Sequence, residues 1–264
     1  MQIGSGTRAL VTGASRGIGR AVAHVLAERG ATVGLAARST TNLEALAREL
    51  PGAHHALTCD VALPVSIGTA IEDFAAATGG LDLLVANAGI AYYEPIATQA
   101  LDKIEQMTEV NWLGTVYTIH AALPYLLEGG AGHIVVMSSG AGLRGFPGAA
   151  AYSATKAAQR MFAEALRHEL AGTGVSVTTV YPGEIQTSLH DHEGTQMPQW
   201  YRGGPEAATA EALATRIVKA VERDSRHLHY RSAVKGMGIL NGLSPALADR
   251  MLRRLRGGSA APRR

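Results

Sequence analysis

The sequence predicts a doubly wound α/β fold, a parallel sheet of about seven strands with helices on both faces. Short β-type apolar runs alternate with helical patterns almost from end to end of the 264 residues, as crossover units around a parallel sheet require. The first of these runs feeds a glycine-rich turn that opens directly into a helix. Composition agrees: 47% hydrophobic residues, 17% charged residues and 31 glycines suit a buried sheet joined by tight strand-to-helix turns.

Strands are expected at residues 9–12, 32–36, 55–58, 81–86, 133–138 and 175–181, with a seventh near 227–230. The first helix is expected over 18–29, where Ile18, Val22, Val25 and Leu26 recur at helical spacing and Gly30 ends the run. Further helices are predicted over 41–50, 65–78, 101–127 and 151–170. Periodicity fails over 188–204, a stretch holding Met197, Trp200 and Tyr201 that reads as a substrate lid. A helix resumes over 205–222. Ser244 and Pro245 then predict the N-cap and first residue of a last helix, about 244–256, with Leu247, Met251, Leu252 and Leu255 along one side. Residues 257–264 read as a frayed tail. No linker or repeat divides the first 185 residues, so residues 1–264 are expected to form a single domain.

Several function classes are set aside at this point. The formal net charge is +2, and no basic stripe with interleaved aromatics runs through the body, so no nucleic-acid partner is expected. A lone cysteine, Cys59, allows no intramolecular disulfide. Neither a leader pattern nor a membrane-spanning apolar run is present, and the expected location is cytoplasmic. GxSxG and GxxxxGK[ST] motifs are lacking. His190 with His192, and His227 with His229, would each share a face if extended, but no carboxylates or cysteines cluster with them, and no metal is expected. Trp112 and Tyr117 read as packing residues. The last helix is basic as well as apolar, through Arg250, Arg253, Arg254 and Arg256, which would permit weak attachment to an anionic membrane; packing on the body is the simpler reading of its stripe.

The glycine turn runs Thr12-Gly13-Ala14-Ser15-Arg16-Gly17-Ile18-Gly19. A backbone can approach a pyrophosphate closely only where side chains are missing, and a helix start adds free amides and a favourable dipole. With a strand before and a helix after, the turn predicts a Rossmann-type dinucleotide site rather than an ordinary tight connection. An acidic residue at the end of the second strand would hold a ribose 2′-hydroxyl and reject a 2′-phosphate. Ala37 stands there instead, followed by Arg38, and Arg16 lies within the turn. Two guanidinium forks able to converge on a 2′-phosphate favour NADP(H) over NAD(H), although both arginines could be plain surface groups.

Tyr152-Ser153-Ala154-Thr155-Lys156 opens a predicted helix and sets Tyr152 and Lys156 on one face. Carbonyl reduction needs a proton delivered to the developing alkoxide, and a phenol serves only if its pKa falls towards the working pH. A depression of about 3 units from ~10 corresponds to roughly 4 kcal/mol, which positive charge from Lys156 and an oxidised nicotinamide ring would supply.

The spacing TGxxxGxG, with a YxxxK thirteen residues after Ser139, resembles the short-chain dehydrogenase/reductase family. Other elements follow in the family's order over about residues 7–187. The resemblance implies that Gly13, Ser15, Arg16, Gly17, Ile18 and Gly19 hold the dinucleotide, with Asp60 and Val61 at the adenine. Asn87-Ala88-Gly89 is similar to the family's Asn-Asn-Ala-Gly, with Ala86 in place of the first asparagine. Pro182-Gly183-Glu184-Ile185-Gln186-Thr187 is similar to PGxxxT, which implies that Pro182, Gly183, Ile185 and Thr187 meet the nicotinamide end. Asn111, Ser139, Tyr152 and Lys156 are implied as a catalytic tetrad: Asn111 anchors a water towards the lysine, Ser139 hydrogen-bonds the substrate oxygen, and Lys156 also holds the nicotinamide ribose. The expected function is an NADP(H)-dependent oxidoreductase acting on a small, apolar carbonyl or alcohol. The competing class is a sensor that holds NADP(H) without turnover, against which the complete acid/base set argues. A homodimer or homotetramer through helices 101–127 and 151–170 is expected by resemblance.

Overall fold

The computed structural model describes residues 1–187, Leu189 and 208–255. Its central sheet contains β1 (Arg8–Thr12), β2 (Thr32–Ala37), β3 (His55–Thr58), β4 (Leu83–Ala86), β5 (Gly132–Met137), β6 (Val175–Tyr181) and β9 (His227–His229). They are ordered β3-β2-β1-β4-β5-β6-β9, and every neighbouring pair is parallel. The order reverses between β1 and β4. Chain leaving the carboxyl ends of those two strands therefore diverges to opposite faces and leaves a crevice between.

Side chains alternate across the sheet and fill a core on each face. Ala9, Val11, Val33, Leu35 and Val135 enter one core, with α1 (Gly17–Glu28), α2 (Thr40–Glu49) and α7 (Ala210–Glu222) above them. Leu10, Leu84, Ile134 and Val136 enter the other, beneath α3 (Pro64–Thr78), α5 (Gly114–Glu128) and α6 (Ala150–Glu169). Burial on both sides explains why β4 and β5 read as unbroken apolar runs. The amino ends of β1 and β4 are clamped together: the Asp82 carboxylate accepts hydrogen bonds from the Arg8 backbone N–H at 2.8 Å, from Nε at 2.8 Å and from Nη2 at 2.5 Å. The fourth strand begins at Leu83 rather than at residue 81, although the Asp82 backbone already bonds both neighbours, donating to the Arg8 carbonyl and accepting from the His133 N–H at 2.9 Å each. β5 ends at Met137, one residue before the expected boundary, and the Ser138 hydroxyl donates to the Lys156 carbonyl at 2.8 Å.

The expected helix over 101–127 is three segments. α4 (Leu101–Met107) passes into a wide π turn (Thr108–Leu113) before α5 begins. The Asn111 carbonyl is taken by Gln159 Nε2 at 2.8 Å and by the Thr115 hydroxyl at 2.7 Å, which holds the widened ladder open. α7 starts at Ala210, capped by Thr209, whose hydroxyl accepts from the Ala212 N–H at 3.2 Å; residues 205–207 lie outside the described residues. A further helix, α8 (Ser232–Leu243), has no counterpart in the sequence reading, because Gly236, Gly238 and Gly242 dilute its pattern. Two short strands, β7 (Ile185–Gln186) and β8 (Ala208–Thr209), pair in parallel apart from the main sheet. α9 (Pro245–Leu255) begins where Ser244 and Pro245 predict, with Ser244 Oγ accepting from the Leu247 N–H at 3.4 Å. Arg144 ties α8 to α9 by bonding Asn241 and Asp249. The lid expected at 188–204, apart from Leu189, and the tail at 257–264 lie outside the described residues. No described helix is long and apolar enough to cross a membrane.

Candidate active site

The crevice widens into a cavity of about 760 Å³. Its floor is the glycine turn, which is locked to the end of β4. Thr12 Oγ1 accepts from the Asn87 and Ala88 N–H groups at 3.0 and 3.1 Å, and the Asn87 side-chain amide donates to the Thr12 carbonyl at 2.9 Å. Gly13 and Gly17 have φ of +67° and +57°, a conformation that disfavours side chains. Gly19 does not line the cavity. A Cβ there would stand 2.3 Å from the Gly13 carbonyl oxygen, so its role is to let α1 close onto the turn.

Gly13, Ser15, Arg16, Gly17 and Ile18 line one side of this floor, and Asn87, Ala88 and Gly89 the other. Arg38 joins Arg16 on the wall, and among the described residues no carboxylate lines the cavity at the end of β2, where Ala37, Ser39 and Asn42 stand. Asp60 and Val61 also line it. The Asp60 carboxylate accepts from the Ala62 N–H at 3.0 Å, which fixes its loop. Neighbouring Cys59 is buried, and burial together with Asp60 pushes its thiol up to about 11, so it holds its proton at neutral pH.

The opposite wall is built by the first turns of α6 and the loop after β5. Ser139 caps a short 3₁₀ turn (Gly140–Gly142), accepting from the Ala141 N–H at 3.1 Å, and it hydrogen-bonds the Tyr152 phenol. Lys156 Nζ donates to the Met137 carbonyl at 2.9 Å and lies 5.8 Å from the centroid of the Tyr152 ring. Gly142 makes this approach possible, since a Cβ there would stand 2.6 Å from the Lys156 carbonyl oxygen. Pro182, Gly183, Ile185 and Thr187 close the end of the cavity. The Gly140 N–H donates to the Pro182 carbonyl at 2.8 Å and joins the two loops.

Asn111 stands behind this wall, fully buried. Its side chain accepts from the Ile90 N–H at 2.8 Å and donates to the Ile90 carbonyl at 2.9 Å and to Thr155 Oγ1 at 3.1 Å. It braces the loop after β4 against α6. The sequence signals therefore converge on one cavity, with Gly19 and Asn111 as its supports.

Burial pushes the Tyr152 phenol up to about 12, and the Ser139 hydrogen bond only partly opposes this. Burial likewise pushes the Lys156 ammonium down to about 7. Each group leaves water, which penalises its charged form, and the amine rests on a backbone carbonyl rather than on the phenol. The protein alone does not depress the tyrosine.

Some lining residues were not legible beforehand. The Tyr93 ring meets Tyr152 edge-on, with centroids 5.6 Å apart at 76°. Phe146, Leu189 and, from α8, Val234 and Met237 add an apolar wall, and Arg231 enters at the start of α8 with φ of +76°. Tyr92-Tyr93, just beyond Asn87-Ala88-Gly89, was the one available signal; α8 offered none.

The family model described as short chain dehydrogenase matches residues 7–198. The chain belongs to that family. This short chain dehydrogenase, an oxidoreductase by family, is 40% identical over 193 residues to an uncharacterized oxidoreductase of Myxococcus xanthus, covering 72% of this chain and 76% of that one. Among solved structures it is similar to a 3-ketoacyl-ACP reductase from Sinorhizobium meliloti, with 36% identity, a TM-score of 0.78, and 88% and 99% of the two chains covered. It is also similar to an alcohol dehydrogenase from the archaeon Thermococcus sibiricus complexed with 5-hydroxy-NADP, with 29% identity, a TM-score of 0.75, and 86% and 97% covered.

Proposed function

We propose that this short chain dehydrogenase is an NADP(H)-dependent enzyme that interconverts a carbonyl and an alcohol on an apolar small molecule. One observation carries the reading: Ser139, Tyr152 and Lys156 share a single cavity with the glycine turn and with Arg16 and Arg38.

The residues fit a dinucleotide. Two turn glycines sit at positive φ, and the start of α1 faces the cavity, which suits a pyrophosphate. Arg16 and Arg38 would hold a 2′-phosphate, and the absence of a carboxylate at the end of β2 removes the group that would exclude one. Solved relatives hold NADP-type and NAD-type cofactors alike, so the arginines bear the choice. Pro182, Gly183, Ile185 and Thr187 would receive the nicotinamide end.

When bound, a nicotinamide cofactor supplies or accepts the hydride. Tyr152 would give its hydroxyl proton to the substrate oxygen as the carbonyl is reduced, and take it back in the reverse direction. Ser139 would donate to that oxygen and orient it. Lys156, in its ammonium form, would favour the phenolate left on Tyr152 and bond the nicotinamide ribose. Tyr93, Phe146, Val234 and Met237 would receive the apolar body of the substrate.

The test is to follow cofactor oxidation by the purified protein with a panel of ketones, aldehydes and quinones, using NADPH and NADH in parallel. Turnover is expected with at least one carbonyl class, with NADPH the better cofactor. Losing charge-assisted bonds to a phosphate should raise the NADPH KM of Arg16→Ala/Arg38→Ala about tenfold or more while the NADH KM stays unchanged. Equal losses with both cofactors would contradict the 2′-phosphate assignment. We further propose a homodimer or homotetramer formed through α5 and α6, where Leu127 and Met161 are exposed; a monomer mass by light scattering would contradict it.

A further inference from the structure

A second cavity, of about 430 Å³, lies at the outer corner of the sheet and shares no lining residue with the active site. Two periodicities build it. Arg160, Glu164, Arg167 and His168 fall on one stripe of α6, while His227 and His229 share one face of β9 and Leu228 enters the core on the other. Strand register sets Tyr181 opposite His229, and the two rings stack with centroids 4.8 Å apart at 20°. Arg167 is pinned over this floor, donating from Nε to the Val177 carbonyl at 3.3 Å and from Nη2 to Thr179 Oγ1 and the Arg226 carbonyl at 3.3 and 3.2 Å.

Most of the space between helices and sheet is filled by apolar side chains. Here it is edged by three guanidinium groups, from Arg160, Arg167 and Arg226, and by imidazoles, with Glu164 as the one carboxylate on the wall. None of the three arginines forms an ion pair among the described residues. Two positive charges are thus left uncompensated in a concave, partly desolvated place. That field repels a metal dication, so the paired histidines are not a metal site. It suits an oxyanion, for which guanidinium forks are the matching donors.

We propose that this cavity binds a phosphate-bearing small molecule, held by Arg160, Arg167 and Arg226 above the Tyr181–His229 floor. The groups facing the two strand imidazoles are Arg160, Glu164, Arg167 and His168 on α6, Tyr181 on β6, Arg226 before β9 and Lys235 on α8. Burial and these cations hold both imidazoles below their ordinary value. A bound anion reverses that field and raises them, so binding takes up protons and tightens as pH falls.

The test is titration calorimetry of the full chain with inorganic pyrophosphate and with sulfate, whose charge does not change across the range, at fixed ionic strength. Saturable binding is expected, with one anion per chain still bound in Arg16→Ala/Arg38→Ala, where the cofactor turn no longer competes, and with sulfate tighter at pH 6 than at pH 8. Arg226→Ala should weaken it about tenfold or more, and Arg160→Ala similarly. Among the described residues Arg226 is bonded through its backbone carbonyl and not its side chain, so its variant should fold. Arg16→Ala/Arg38→Ala should retain the binding, which separates this site from the cofactor turn whether or not the NADP(H) reading holds. His227→Gln/His229→Gln should flatten the pH dependence. Binding unchanged by Arg226→Ala, or lost only with the turn arginines, would overturn the proposal. So would absence of binding in a chain whose association, followed by light scattering, falls on Arg226→Glu, since a second copy would then cover the cavity.

Discussion

At Gly19 the chain has no room for a side chain, and the reason lies in its neighbours: the Gly13 carbonyl and the Asn87 amide both occupy the place a Cβ would take. Gly19→Ala should therefore destabilise the fold by about 1–3 kcal/mol and weaken cofactor binding, measured by thermal unfolding and by fluorescence titration. Gly145→Ala, where no described residue stands within 4 Å, should change neither. Ser139 both caps the 3₁₀ turn and bonds the Tyr152 phenol. Its hydroxyl would serve the reacting oxygen, so Ser139→Ala should lower kcat by about a hundredfold or more while leaving NADPH affinity near the parent value; a loss confined to affinity would place Ser139 on the cofactor instead. These positions were legible because chemistry fixes residue type and spacing: the i to i+4 pair Tyr152 and Lys156 had to share a face. Their ionisation was not legible. It depends on how completely each group is buried and on which carbonyl takes the lysine, and neither is encoded in local spacing.

Among the elements, β1 and β4 matter most, since the crevice opens between them, and the Arg8–Asp82 clamp fixes their starting ends. Burial alone would raise the Asp82 carboxyl; the Arg8 hydrogen bonds outweigh it and hold the group below its ordinary value. A depressed carboxyl stabilises the fold above its unfolded pKa, and that contribution is lost as pH falls through the folded value. Asp82→Ala should cost about 2 kcal/mol near pH 7, and the gap from the parent should close as pH falls below about 4. Denaturant titrations across pH 3–7 measure it, and a gap that does not depend on pH would contradict the charge assignment. Strands were easy to read because double burial leaves them uniformly apolar. The π turn was hidden, since its cause is the distant Gln159 reaching the Asn111 carbonyl. α8 was hidden for a different reason: its glycines weaken any helical signal, and one of them, Gly238, lies where the helix passes closely over Leu143.

Across the whole molecule, the reversal of strand order between β1 and β4 gathers signals spread from Gly13 to Thr187 into one crevice, and α6 presents Tyr152 and Lys156 to it. Strand alternation and motif order predicted this assembly. The cationic corner between α6 and β9 was not predictable from them, because it arises from the register that sets Tyr181 beside His229. Because a ligand that binds only the folded state stabilises it by mass action, NADPH should raise the unfolding temperature progressively with concentration, and NADH should do so less. The central claim is that the Tyr152 hydroxyl exchanges the proton with the reacting oxygen. It is tested most directly by single-turnover oxidation of NADPH by Tyr152→Phe under conditions that saturate the parent enzyme, with NADPH affinity measured alongside. The account predicts a rate lower by about a hundredfold or more with affinity essentially retained; a rate within a few-fold of the parent would contradict it.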